Sequence, residues 1–104
     1  MHLGDILESI DHISTFIGEM TVEDYAQDLK TRSAVERQMQ IITEAAIRLG
    51  DEAELLCPGL DWRGYRGMGN FLRHEYHRVD DQIVWDTVKV ELPLLRAAVV
   101  KALI

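Results

Sequence analysis

At 104 residues the chain is long enough for one domain around one core and no more. Apolar residues make up 47% and charged residues 28%, the balance of a soluble globular protein, which excludes wholesale disorder. A formal net charge of -7 excludes a general polyanion binder with a basic surface all round, though it leaves room for a local basic site.

The first predicted element is a helix whose apolar stripe is Leu3, Ile6, Leu7, Ile10, Ile13 and Ile17, with Asp5, Glu8, Asp11 and Glu19 off it. Gly18 stands where a glycine commonly stops a helix. Thr21 followed three residues later by Asp24 has the form of a capping box, with room for only a short helix before Asp28. The third element is the most strongly patterned: Val35, Met39, Ile42, Ala46, Leu49, Ala53 and Leu56 keep a four-three alternation, widened by Ile41 and Ala45. Gly50 interrupts it, which predicts a bend or a pause, and Cys57-Pro58-Gly59 ends it.

A fourth helix is predicted from about Asp61 to Val79 and a fifth from about Asp80 to the end, capped by Asp80 or Asp81. Val84, Val88, Leu92, Leu95, Val99 and Leu103 form the apolar face of the fifth. Val88 to Leu92 also alternates like a strand, but the longer helical period outweighs it. Pro93 lacks a backbone N–H and should kink or divide that helix. The expected architecture is an all-α, up-down bundle of four to five helices in a single domain. The lone Cys57 offers neither a disulfide framework nor a cysteine zinc site. The start of the chain has no basic-then-apolar leader and no apolar run approaches a membrane span, so a cytoplasmic protein is expected.

The chemistry concentrates in residues 62–79. This stretch holds four of the eleven Lys/Arg residues (Arg63, Arg66, Arg73, Arg78) and two of the four histidines (His74, His77) of an acidic chain. At about 100° per residue, Arg66, Asn70, Arg73, His74 and His77 share one arc of a helix, and Tyr65, Met68, Leu72, Tyr76 and Val79 lie opposite. Gly64, Gly67 and Gly69 each weaken such a helix, which points to close packing or close approach of a ligand. An imidazole that titrates near neutrality can take the proton of a ribose 2′-OH or protonate the leaving 5′-oxygen. A guanidinium can hold phosphate oxygens as charge builds on them. That pairing suits cleavage of RNA without a metal or other cofactor.

Met68-Gly69-Asn70-Phe71-Leu72-Arg73-His74-Glu75-Tyr76 resembles the HepT-like toxins of the HEPN superfamily. Trp62, Val79-Asp80, Trp85, Leu92-Pro93-Leu94-Leu95 and Glu44-Ala45-Ala46 extend the likeness over essentially the whole chain. The resemblance implies a homodimer or higher oligomer of helical bundles acting as a metal-independent ribonuclease toxin on an RNA substrate. It further implies a minimal nucleotidyltransferase antitoxin that adenylylates the motif tyrosine. The family pattern is Arg, four to six residues, His, one residue, Tyr; His74 matches its His, Tyr76 its Tyr, and Asn70 the polar residue that commonly follows its Arg. The Arg position itself is Gly69.

Arg73 and Arg66 are the candidates to replace that arginine, and loss of nuclease activity is the other alternative. Arg63, His77 and Arg78 would widen a phosphate-binding patch. Each residue also has a structural reading: an ion pair to Glu44 or another acid for Arg66 and Arg73, a helix C-terminus for His77 and Arg78, a core position for Tyr76. A catalytically degenerate module that binds the nucleotidyltransferase or a nucleotide is the second functional expectation.

Overall fold

Periodicity becomes packing in a computed structural model that describes residues 2–72 and 80–104, leaving out the side chains of 69–71. The elements are α1 (His2–Ile17), α2 (Val22–Gln27), α3 (Leu29–Leu49), α4 (Glu52–Leu56), α5 (Trp62–Leu72), α6 (Asp81–Asp86), a π-helical turn (Thr87–Glu91) and α7 (Leu92–Leu103). Helices α1, α3, α5 and the continuous α6–α7 rod are the four main members of an all-α up-down bundle. Among the described residues there is no strand, and no helix is long and apolar enough to cross a membrane.

The predicted stripes meet at the centre. Ile6 and Ile13 of α1, Val35, Met39 and Ile42 of α3, and Leu92, Leu95 and Val99 of α7 are all buried. Fully burying an aliphatic side chain of this size contributes about 1.5–3 kcal/mol, so these contacts dominate the stability. The Asp11–Arg96 ion pair across α1 and α7, at 2.8 Å, is half exposed and adds little.

Local signals set the element ends. The capping box forms as expected: Asp24 N–H donates to Thr21 Oγ1 at 3.2 Å, and Thr21 N–H donates to Asp24 Oδ2 at 3.1 Å. Asp28 then caps α3 by accepting from the backbone N–H of Thr31 at 3.1 Å and from its hydroxyl at 2.8 Å. Those bonds hold its carboxyl below the usual range.

Gly50 does more than bend the third element. Its φ of 55° and ψ of -139° end α3, and the chain restarts one turn on as α4. A side chain there meets no neighbour within 4 Å, so the constraint lies in the backbone, in a region of conformational space that favours glycine. Gly50→Ala should therefore destabilise the fold by about 1–3 kcal/mol without creating a clash, seen as a lower chemical-denaturation midpoint at unchanged slope.

Pro93 stands in the first turn of α7, where the rod divides into a π-helical turn and a new α-helical stretch with no gap between them. The turn before it widens to the π form, in which the N–H of Leu92 donates to the carbonyl of Thr87 five residues back. The extra residue absorbs the missing donor and the ring of Pro93. It also keeps Val84, Val88 and Leu92, spaced four and four, on one buried face. The strand-like run Val88 to Leu92 is this turn. Leu103, expected on the apolar face, is 37% exposed at the end of α7.

Candidate nucleic-acid and catalytic segment

Helix α5 carries the described half of the candidate segment. Asp61 starts it, accepting from the N–H of Gly64 at 3.0 Å. A Cβ on Gly64 would run into that same carboxylate, which accounts for the first of the three glycines. One face is buried through Trp62, Tyr65, Met68 and Leu72. Trp62 Nε1 donates to the carbonyl of Cys57 at 2.9 Å, and its ring meets Tyr65 edge-on at 5.6 Å. Thr43 of α3 donates its hydroxyl to the carbonyl of Tyr65 at 3.2 Å. Burial pushes the Tyr65 phenol up, as do Glu91 and Asp61.

With the phase of α5 fixed in this way, Arg63 is exposed in the first turn. Gly67 has open space around it, so packing among the described residues gives no reason for a glycine at that position.

Arg66 lies between α3 and α4. Its Nη2 donates to the Gly50 carbonyl at 2.8 Å and to the Glu54 carboxylate at 2.7 and 3.0 Å. Its Nε donates to the Ala46 carbonyl at 3.4 Å. The guanidinium thus closes the C-terminal end of α3 and pairs with Glu54, not Glu44. A phosphate approaching it would compete with a carboxylate already in place. Glu54 carried no periodic signal: it stands twelve residues before Arg66, and only the fold-back at Gly50 brings the two together.

The backbone of Asn70 lies in the last turn of α5, and its side chain is outside the described residues. So are Arg73, His74, Tyr76, His77 and Arg78, with all of 73–79. The chain is described again at Asp80, whose carboxylate caps α6 by accepting from Gln82 N–H at 2.9 Å and Ile83 N–H at 3.2 Å.

A cavity of about 280 Å³ lies elsewhere, between α1 and the π-helical turn with α7, lined by Ile10, Ile13, Val88, Leu92 and the Asp11–Arg96 pair. Among the described residues no histidine lines it; its arginine is paired with Asp11, and Lys89 is its other cation.

Comparison with known proteins bears on the segment as a whole. The protein named "Probable ribonuclease HepT" from Thermococcus cleftensis is 38% identical over 95 residues, covering 91% of this chain and 86% of that one. "Putative RNase MJ0127" from Methanocaldococcus jannaschii is 33% identical over 91 residues, covering 88% and 75%. "Putative RNase TTE0752" from Caldanaerobacter subterraneus is 30% identical over 98 residues, covering 94% and 88%. No solved structure matches the chain. The family model described as "Ribonuclease HepT-like" matches residues 6–102, from within α1 to within α7, and the chain belongs to that HepT-like family.

Proposed function

We propose that this chain is a metal-independent ribonuclease toxin of a toxin–antitoxin pair, with RNA as substrate. The observation that carries the reading is the match to the HepT-like ribonuclease family over residues 6–102, a span in which His74 and Tyr76 lie. The exposure of Arg63 in the first turn of α5 supports it, because it leaves one cation of the segment open to a phosphate.

In this reading His74 is the general acid/base. It takes the proton of a ribose 2′-OH as that oxygen attacks the adjacent phosphorus; the bond from phosphorus to the 5′-oxygen breaks, and the leaving oxygen gains a proton. The products are a 2′,3′-cyclic phosphate and a free 5′-hydroxyl. Arg73 holds the phosphate oxygens as charge builds, with Asn70 positioning the group. Arg66, which closes α3 against Glu54, supports the segment from behind. Arg63, His77 and Arg78 add phosphate contacts along the RNA. Two protomers pair so that a His74 from each lines one cleft, which supplies the second proton-transfer group. The partner is a minimal nucleotidyltransferase antitoxin that silences the chain by adenylylating Tyr76.

A second reading has specific support. Gly69 stands where the family motif has its arginine, and Arg66 is already paired. Both favour a non-catalytic module that docks the nucleotidyltransferase or a nucleotide. Expressing the chain alone in bacterial cells separates the two. Growth arrest relieved by co-expressing a cognate nucleotidyltransferase is the expected result; unaffected growth at a verified protein level would replace the first reading with the second.

A further inference from the structure

The cavity between α1 and the π-helical turn plays no part in the proposed chemistry, yet its lining has the two-part character of a binding site. It measures about 280 Å³ and is half open to solvent. Its floor is aliphatic: Ile10, Ile13 and Ile17 of α1 line it together with Val88 and Leu92, each no more than 7% exposed. Its mouth is polar, formed by the exposed Lys89, Arg96, Asp11 and Ser14.

The floor sets the body of a ligand. Aliphatic side chains beside a space of this size forgo the contacts of a closed core, and a hydrocarbon chain would restore them. A dry apolar cavity of about 150 Å³ takes a benzene ring. At an interior packing density of about 0.75, the present cavity holds about 200 Å³ of ligand, a chain of about eight to ten carbons. A nucleotide suits it poorly, because the polar atoms of its base and sugar would find no partners on an aliphatic floor.

The mouth sets the head. Arg96 donates to Asp11 through Nε at 2.8 Å and Nη2 at 3.4 Å, and its Nη1 makes no hydrogen bond among the described residues. Lys89 pairs with no carboxylate among the described residues; its ammonium lies 5.3 Å from the centroid of the Trp85 ring. A ring contact at an exposed position is weak and leaves the ammonium's donors for an anion. Among the described residues the mouth thus has two cations and one acid, on a chain of net charge -7. The turn that carries Lys89 is π-helical, a form frequent at functional sites.

We propose that this cavity binds a small amphiphile with a carboxylate head and an unbranched hydrocarbon body. Lys89 and Nη1 of Arg96 hold the carboxylate, and the chain lies against Ile13 and Leu92. The site does not depend on the ribonuclease reading.

Titration of the whole chain with sodium octanoate, followed in ¹H–¹⁵N spectra, tests it. The amides of Ile13, Ser14, Val88 and Lys89 should move saturably with a Kd of about 0.1–1 mM, in the range for a ligand of about ten heavy atoms. Lys89→Met keeps the aliphatic stem and removes the charge, and should weaken binding about tenfold. Ser14→Phe places a ring in the mouth and should abolish it. 1-Octanol, which has the chain without the charge, should bind about tenfold more weakly than octanoate, and acetate should move none of these amides. The absence of saturable shifts at these positions up to about 10 mM octanoate would overturn the proposal. So would undiminished affinity in folded Lys89→Met or Ser14→Phe, or displacement of octanoate by adenosine monophosphate.

Discussion

Replacing His74 with alanine should lower RNA cleavage by about 10²–10⁴-fold, the usual contribution of a positioned acid–base group. The expectation follows from the chemistry: a ribose hydroxyl is a weak nucleophile until its proton is taken, and a neutral imidazole is the side chain best matched to that task near pH 7. Alanine removes the proton acceptor and adds no charge. The loss should fall on kcat, with KM little changed, because the arginines that hold the phosphates remain. Single-turnover cleavage of a short RNA, with the melting temperature measured alongside, checks it. A wild-type rate in the variant would remove His74 from the mechanism.

The largest effect on stability is expected at Trp62. Its side chain is 1% exposed, packs edge-on against Tyr65 and donates to the Cys57 carbonyl at 2.9 Å. It joins the start of α5 to the turn that follows α4. Trp62→Ala removes the ring, opens a cavity and strands a carbonyl, at a cost of about 3–5 kcal/mol. Against a total of about 5–15 kcal/mol for a domain, that approaches unfolding. Trp62→Phe separates the contributions, since it keeps most of the packing and loses the donor, and should cost about 1–3 kcal/mol. Urea denaturation of the two variants gives both numbers; a loss under 1 kcal/mol for Trp62→Ala would mean that α5 is held by something other than this anchor.

How much of this was legible in the residues depended on whether the deciding contact was local. The stripe of α1 and the Thr21 capping box were readable because they involve neighbours three or four residues apart. The Gly50 interruption was visible, but its outcome, a full stop and a fold-back, depends on how α4 packs. The π-helical turn left no signal in the spacing, because Val84, Val88 and Leu92 span only about 80° of a regular helix and share one face of it as well. For Pro93, the missing donor points to a kink or a division, and the form the division takes, a π-helical turn before the ring, depends on packing against the other helices.

In the candidate segment the limit was sharper. Helical projection set Arg66 on one arc with His74, and no projection along a single helix can reveal an acid arriving from another. Glu54 is that acid, and it engages the guanidinium of Arg66 within the fold. Arg32 is the same case, because Asp81 lies far along the chain and meets it only across helices. The family was legible as a resemblance and the match over residues 6–102 bears it out, while the motif's departure at Gly69 leaves the choice of arginine to chemistry.

The most direct test of the account replaces one atom of the substrate. An RNA oligonucleotide cut by the purified chain is resynthesised with a single 2′-deoxy nucleotide on the 5′ side of the scissile phosphate. With the attacking oxygen gone, cleavage at that bond should cease while other bonds are cut as before, and the intact RNA should yield 2′,3′-cyclic phosphate ends. Continued cutting at the deoxy position would contradict attack by the ribose hydroxyl, and with it the role assigned to the imidazole.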